Sequence, residues 1–147
     1  MSPEDELKAT LSFELGQIRK ELAVLDRMAG PRKRLGPDEV KVRAAASSLH
    51  SIYNGIEKML ETVLKSKGQA LTTGPSSHAD LLDAVVVAGV IPSDLAVALR
   101  DLMAFRHFFR HSYGFMIDHE LLNPLIGKAA DIIRRTAAEL NLEWGGA

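Results

Sequence analysis

Cationic, proton-transferring and aromatic side chains crowd into residues 105–114. The ten residues read Phe-Arg-His-Phe-Phe-Arg-His-Ser-Tyr-Gly, in a chain whose aromatic content is only 5%. A histidine can take up or release a proton near neutral pH. An arginine presents a planar, permanently charged fork that matches phosphate oxygens. The stretch therefore has the residue types needed for acid–base chemistry at a phosphate group.

The spacing of these residues limits how they can act together. Four residues separate Arg106 from His111, and Tyr113 follows His111 after one more. Five steps along an ideal α-helix turn through about 500°, so the side chains of Arg106 and His111 point about 140° apart. A straight helix therefore keeps the two groups away from each other. They converge if the helix unwinds near residues 112–114, or if a second copy of the chain completes the site.

The same four positions carry a resemblance to a known family. The sequence resembles the HEPN domains, and within them the HepT-like toxins encoded beside small nucleotidyltransferases. Their signature is an arginine, a polar residue, three variable residues and a histidine, to which the HepT branch adds x-Tyr; it is matched by Arg106, His107, His111 and Tyr113. Residues 52–57, Ile-Tyr-Asn-Gly-Ile-Glu, are similar to the family's second helix. The resemblance covers most of the chain from that helix onward.

The resemblance implies an enzyme and a way of silencing it. It implies a homodimer whose cleft is a metal-independent endoribonuclease site, with no cofactor, in which Arg106, His107 and His111 carry the activity on RNA. His107 is an allowed variant of the commoner asparagine, so its role stays open. Tyr113 is implied to be the acceptor of AMP from a cognate MntA-type nucleotidyltransferase antitoxin. AMP groups two residues from His111 would add charge and bulk to the cleft.

Other interpretations of the same residues remain. The protein could be a non-catalytic HEPN module that binds a partner nucleotidyltransferase, or a generic helical interaction protein if the motif is a coincidence. Taken alone, Arg106 is typical of a solvated helix residue, His111 of a partly buried imidazole, and Tyr113 of a packed ring at a helix end. The phenylalanines of the stretch are more typical of core or dimer-interface packing than of base stacking.

A metal site is a further alternative. His107 and His111 are four residues apart on one helix face, and Asp118-His119 follow nearby. A zinc site needs three or four ligands of defined geometry, and no third ligand is marked here. Arg106 and Arg110 would also repel a cation. We therefore expect no metal.

Composition sets the broad class. A chain of 147 residues is expected to form one domain, residues 1–147, with a substantial core. The net charge of −1 indicates that any RNA contact rests on a local patch rather than on a general basic field. The basic residues 31–36 are either a solvated loop or a phosphate contact. There is no cysteine, and no apolar run approaches the roughly 18 residues that span a membrane. We expect a soluble, cytoplasmic protein.

Start and stop signals predict an all-α, up-and-down bundle of four to five helices. Prolines, serines and acids mark the helix starts and glycines mark the ends. The expected starts are Ser2-Pro3, Pro37-Asp38, Ser77, Pro92-Ser93 and Asp118, and the expected stops are Gly30, Gly68 and Gly114. Residues 85–87, three valines, could be taken as a strand but are too short and isolated. Residues 144–146 are expected to form a loose tail.

Overall fold

Five α-helices and one short 3₁₀ turn make up the part of the chain that the computed structural model describes, residues 2–144. The prediction of an all-α chain is confirmed, because no strand occurs among these residues. The helices are α1 (Pro3–Ala29), α2 (Glu39–Ser66), α3 (Ser77–Val87), α4 (Ser93–His111) and α5 (His119–Glu139), with the 3₁₀ turn at Gly114–Met116 between the last two.

Four helices, α1, α2, α4 and α5, begin where the sequence predicts, and three of them have a side-chain cap. Ser2 and Asp5 form a reciprocal capping box at the start of α1. Asp38 accepts a hydrogen bond from the backbone of Lys41 at the start of α2. Asp118 accepts from two backbone N–H groups at the start of α5. Each cap satisfies donors that a helix N-terminus leaves without intrahelical partners.

The four long helices, α1, α2, α4 and α5, alternate in direction, which gives the up-and-down arrangement, whereas the short α3 runs opposite to α4 and so in the same general direction as α2. The ion pair between Glu14 and Lys58 joins α1 to α2, and Asp94–Arg135 joins the start of α4 to the end of α5. The core lies between the apolar faces, and its centre is on α2; the fully buried side chains there include Leu49, Ile52, Tyr53, Ile56 and Leu60. In the described part of the chain, every helix is too short or too polar to cross a membrane.

The end of α4 differs from the prediction. The sequence places the end or a turn at Gly114, but α4 stops at His111 and both Ser112 and Tyr113 have extended backbones. A turn of 3₁₀ helix follows directly from Gly114. A Cβ atom on Gly114 would lie 3.0 Å from Cζ of Arg43, so the glycine lets the α2 side chain approach the turn closely. His111 is therefore helical and Tyr113 is not.

Two smaller expectations are corrected. The N-cap of α3 is Ser76 rather than Ser77, and its side chain makes no capping hydrogen bond. Trp144 is not loose, because the guanidinium groups of Arg19 and Arg134 each lie 5.0 Å from its ring. Two cation–π contacts thus fix the tryptophan against α1 and α5. Residues 145 and 146 lie outside the described residues.

Candidate active site around Arg106 and His111

Arg106 is held by side chains from two other helices. It lies in the last third of α4 and is partly buried. Its Nε donates to Oδ1 of Asn54 on α2, at 2.7 Å, and its Nη1 lies 3.1 Å from Nε2 of His78 on α3. These two contacts use two of the five N–H donors of the guanidinium and leave three for another acceptor. The orientation of Arg106 is thus set by α2 and α3 together.

The hydrogen bonds continue from His78 to a buried carboxylate. Nδ1 of His78 lies 2.7 Å from Oε2 of Glu57, whose side chain is 9% exposed. Burial, and then the charge of Glu57, raise the pKa of the neighbouring Tyr53 phenol, so that phenol stays protonated. Glu57 therefore places a carboxylate behind His78. In this chain of hydrogen bonds, His78 alone lies between Glu57 and Arg106.

A second branch runs from Asn54 to His50. Nδ2 of Asn54 lies 3.1 Å from Nε2 of His50, and the His50 ring stacks on Phe109 with 4.7 Å between centroids. Burial lowers the pKa of His50 below its ordinary value of 6.5, and the charges of Arg106 and Arg110 lower it further. The imidazole is therefore neutral at physiological pH and can accept a hydrogen bond from the amide.

His111 is the last residue of α4 and is exposed. Its Nδ1 lies 3.0 Å from the carbonyl oxygen of His107, and the two imidazole rings stack with centroids 4.4 Å apart. A carbonyl can only accept, so the shared proton belongs to Nδ1 of His111. In that tautomer Nε2 carries a lone pair. An exposed imidazole with a free lone pair on one nitrogen can remove a proton, and it can return one once protonated.

One chain places Arg106 and His111 in different environments. Arg106 contacts α2 and α3, whereas His111 contacts its own helix one turn back. The helix is regular from Arg106 to His111, and the extended backbone begins only at Ser112, after both residues. The sequence leaves two ways to bring Arg106 and His111 together, and unwinding of α4 near residues 112–114 does not do so in this structure.

Tyr113 lies on the extended segment after α4 and is 73% exposed. The connection to the next helix is short: α5 begins at His119, and Asp118 is its N-cap. The phenol is thus displayed next to the end of the helix that carries His111.

The phenylalanines of the motif belong mainly to the core. Phe105 is buried, and Phe108 and Phe109 are partly buried against the same core. His107 is exposed and contributes its carbonyl and its ring to His111. Among residues 2–144, no group of three His, Cys, Asp or Glu side chains is placed to hold a metal ion. Within that range, His107 and His111 form a pair of rings without a third ligand.

The basic loop is anchored at one point and exposed elsewhere. Asn123 of α5 accepts from the N–H of Leu35 at 2.7 Å and donates to its carbonyl at 3.2 Å, and all of these groups are buried. Arg32, Lys33 and Arg34 are exposed. The anchored leucine fixes the loop against the start of α5, and its three cationic side chains remain accessible to solvent. A contact of these side chains with phosphate stays a prediction.

Sequence reasoning missed most of the groups that surround Arg106. His50 and His78 carry no recognisable motif, and Asn54 and Glu57 fall in the segment similar to the family's second helix without an assigned role. Arg106 is 28 residues from His78 and 52 from Asn54 along the chain. One signal was available: residues 50, 54 and 57 recur at steps of four and three, which puts polar groups on one face of an otherwise apolar helix.

The comparison with family models agrees with the motif. The model described as HepT-like protein matches residues 44–142, which is more than half of the chain and includes α2 to α5 almost entirely. The chain belongs to the HepT-like protein family, and the prediction of a HEPN domain of the HepT-like type is confirmed. A search of curated proteins and a search of solved structures each found no match.

Proposed function

We propose that the chain is the toxin of a toxin–antitoxin pair and a metal-independent endoribonuclease, with residues 1–147 acting as one HEPN-like domain. One observation carries this proposal. In a member of the HepT-like family, the guanidinium of Arg106 is fixed by Asn54 and His78 and keeps three N–H donors, five residues before an exposed His111. A fixed cation with unused donors and, on the same helix, a histidine that can transfer protons together suit a phosphodiester substrate.

The chemistry is an attack by the RNA on its own backbone. A neutral imidazole of His111 takes the proton of the 2′-hydroxyl while the 2′-oxygen attacks the neighbouring phosphorus. The bond from phosphorus to the 5′-oxygen breaks, and a protonated imidazole gives that oxygen a proton. Arg106 stabilises the negative charge on the phosphorane. The products are a 2′,3′-cyclic phosphate and a 5′-hydroxyl, and His107 supports His111 through its carbonyl.

The cleft is proposed to form between two copies of the chain. Arg106 and His111 have different environments within one chain, so a single copy offers one phosphate either the cation or the histidine. Two copies packed around the ends of their α4 helices would bring two histidines to one scissile bond, one as base and one as acid. The dimer also supplies a guanidinium for the phosphate between them.

Tyr113 is proposed to be the point of control. Tyr113 is 73% exposed and lies two residues after His111. A cognate nucleotidyltransferase antitoxin would transfer AMP from ATP to the phenol of Tyr113 with release of pyrophosphate, which places a phosphate charge and a nucleoside at the entrance of the cleft. RNA phosphates would then be repelled and blocked from Arg106.

The alternative function is a HEPN module that binds a nucleotidyltransferase without cleaving RNA. The net charge of −1 favours it, because most RNA-binding domains carry an excess of positive charge. Under this alternative, the substitution of Arg106 or His111 has no effect on cells.

Growth of cells that express the chain tests the proposal. We expect the wild type to arrest growth, and Arg106→Ala and His111→Ala to relieve the arrest. Arg27→Ala and His119→Ala are matched controls, because Arg27 is exposed on α1 and His119 lies at the start of α5; both should still arrest growth. If all four variants arrest growth like the wild type, or the wild type does not arrest it, the proposed activity is wrong.

A further inference from the structure

The chain of hydrogen bonds behind Arg106 ends at a buried acid. Oε2 of Glu57 lies 2.7 Å from Nδ1 of His78, and Nε2 of His78 lies 3.1 Å from Nη1 of Arg106. The three residues come from α2, α3 and α4. The imidazole thus connects a buried carboxylate to the guanidinium through its two ring nitrogens.

The donor and acceptor groups of these three side chains fix the direction of both hydrogen bonds. A guanidinium can only donate, so Nε2 of His78 accepts from Arg106 and carries no proton. The proton of the neutral ring is then on Nδ1, from which it is donated to the carboxylate of Glu57. Glu57 therefore selects the one tautomer of His78 that can accept a hydrogen bond from Arg106, as carboxylates behind histidines commonly do.

This arrangement is costly if its purpose is only to fill space. A carboxylate that is removed from water loses solvation energy, and well-packed apolar residues can often replace buried ionic groups at no loss of stability. The side chain of Glu57 is only 9% exposed and that of His78 is 34% exposed. A buried acid that orients an imidazole, which in turn orients a cation, is instead suited to hold that cation in one position.

We propose, on the basis of the proposed function, that Glu57 and His78 are positioning residues for Arg106. They hold the guanidinium so that its three remaining N–H donors face the scissile phosphate, and they do not contact RNA themselves. A displacement of about 1 Å at a reacting centre can lower a rate about 100-fold, so the loss of this support has a large kinetic effect. Asn54 restrains the opposite side of the guanidinium through Nε.

A double-mutant cycle measures whether His78 acts through Arg106. The rate constant for RNA cleavage, with kcat and KM separated, is compared for wild type, His78→Ala, Arg106→Ala and the double variant. We expect His78→Ala to lower kcat about 10- to 100-fold in the wild-type background. In the Arg106→Ala background, we expect the same change to have less than about a twofold effect, because nothing remains to be positioned.

Conservative variants separate positioning from folding. His78→Gln keeps an acceptor near the Nε2 position and should lose less activity than His78→Ala. Glu57→Gln removes the charge with little change in shape and should lower kcat, while its thermal unfolding remains cooperative. His119→Ala is the matched control and should keep full activity. Equal losses from His78→Ala in both backgrounds, or no loss in either, would overturn the proposal.

A measurement that needs no activity separates this proposal from the proposed function. In ¹⁵N spectra of the arginine side chains, the fixed guanidinium of Arg106 should show slow rotation about the Nε–Cζ bond and a protected Nε–H. His78→Ala and Glu57→Gln should speed up the rotation, because they disturb the contact of Nη1 with His78. The Nε–H donates to Asn54 and should stay protected in both variants, and His119→Ala should retain both features. If the spectra follow this pattern but the wild type cleaves no RNA, the positioning stands and the ribonuclease assignment fails. If the wild type cleaves RNA and the spectra do not change in the variants, the positioning is wrong.

Discussion

The side chains of Arg106 and His111 extend from the same regular helix, α4, into different surroundings. Arg106 donates to Asn54 on α2 and to His78 on α3, whereas the exposed His111 interacts with His107 on its own helix. The five-residue spacing by itself rotates the two side chains by about 140°. This separation supports the proposal that a phosphate which needs both groups is held between two copies of the chain.

Activity is expected to depend on the concentration of the protein. Because a single copy does not bring Arg106 and His111 together, the cleavage rate per chain should fall when the protein is diluted below its dimer dissociation constant. Analytical ultracentrifugation and cleavage assays over the same dilution series measure both quantities. A rate per chain that stays constant while the protein becomes monomeric would contradict a site shared by two copies.

Tyr113→Phe is expected to separate activity from its control. Tyr113 is exposed and its ring is kept in the variant, so cleavage of RNA should change by less than about twofold. A co-expressed nucleotidyltransferase should add AMP to the wild type and leave the variant without the mass increase. Intact-protein mass spectrometry and growth assays report the two effects. Modification of Tyr113→Phe at the wild-type level would show that the acceptor is another residue.

The pKa of His50 should report on Arg106. Burial lowers this pKa first, and the charges of Arg106 and Arg110 lower it further, below the ordinary value of 6.5. Arg106→Ala removes one of these charges, so we expect the pKa of His50 to rise in that variant. NMR titration of the His50 ring in wild type and in Arg106→Ala measures the change, with Arg27→Ala as the control. An unchanged titration would mean that the guanidinium is not close to the ring in solution.

The lowered pKa of His50 also affects the stability of the fold. Below pH 6.5 an unfolded His50 binds a proton, while the folded group stays neutral until a lower pH is reached. Unfolding then takes up protons, so the free energy of unfolding falls as the pH falls through this window and is unaffected above it. Urea denaturation from about pH 8 to about pH 5 measures the slope, which should be smaller in His50→Gln. An equal slope in both proteins would contradict the assignment to His50.

Replacement of glycine by alanine should have opposite effects on the free energy of unfolding at two positions. A Cβ atom on Gly55 would lie 2.6 Å from Cγ1 of the buried Ile18, whereas a Cβ atom on Gly16 would meet nothing within 4 Å. Gly55→Ala should therefore lower the free energy of unfolding by about 1–3 kcal/mol through overpacking between α1 and α2. Gly16→Ala should raise it by about 0.5–1 kcal/mol, because alanine is the better helix former. Denaturant unfolding of both variants tests the pair, and a loss of stability in Gly16→Ala would contradict the open space around it.

The fold was predictable from local signals. Ser2, Asp38 and Asp118 cap helices because short polar side chains bind the free N–H groups that follow them, which involves only neighbouring residues. The end of α4 was not predictable in this way. The chain becomes extended at Ser112, ahead of Gly114, and the packing of Arg43 against that glycine is a contact between distant residues.

Of the candidate site, only the motif residues were predictable from the sequence. Arg106 and His111 are recognisable because they lie on one short stretch, whereas His78 meets Arg106 only after α3 folds back along α4. A histidine that is isolated in the sequence has no pattern that reveals a partner 28 residues away. Trp144 was missed for the same reason, because its two arginines lie on α1 and α5.

Cleavage of total RNA by the purified protein, in the presence of a chelator, is the most direct test of the proposed ribonuclease. We expect fragments with 2′,3′-cyclic phosphate ends from the wild type and from His119→Ala. In Arg106→Ala and His111→Ala the rate of fragment formation should fall by about 100-fold or more, because the first loses the stabilising cation and the second loses the group that transfers protons. Fragments that form at the wild-type rate in both variants, or a wild type of unmodified mass that leaves RNA intact, would contradict a ribonuclease built on these two residues.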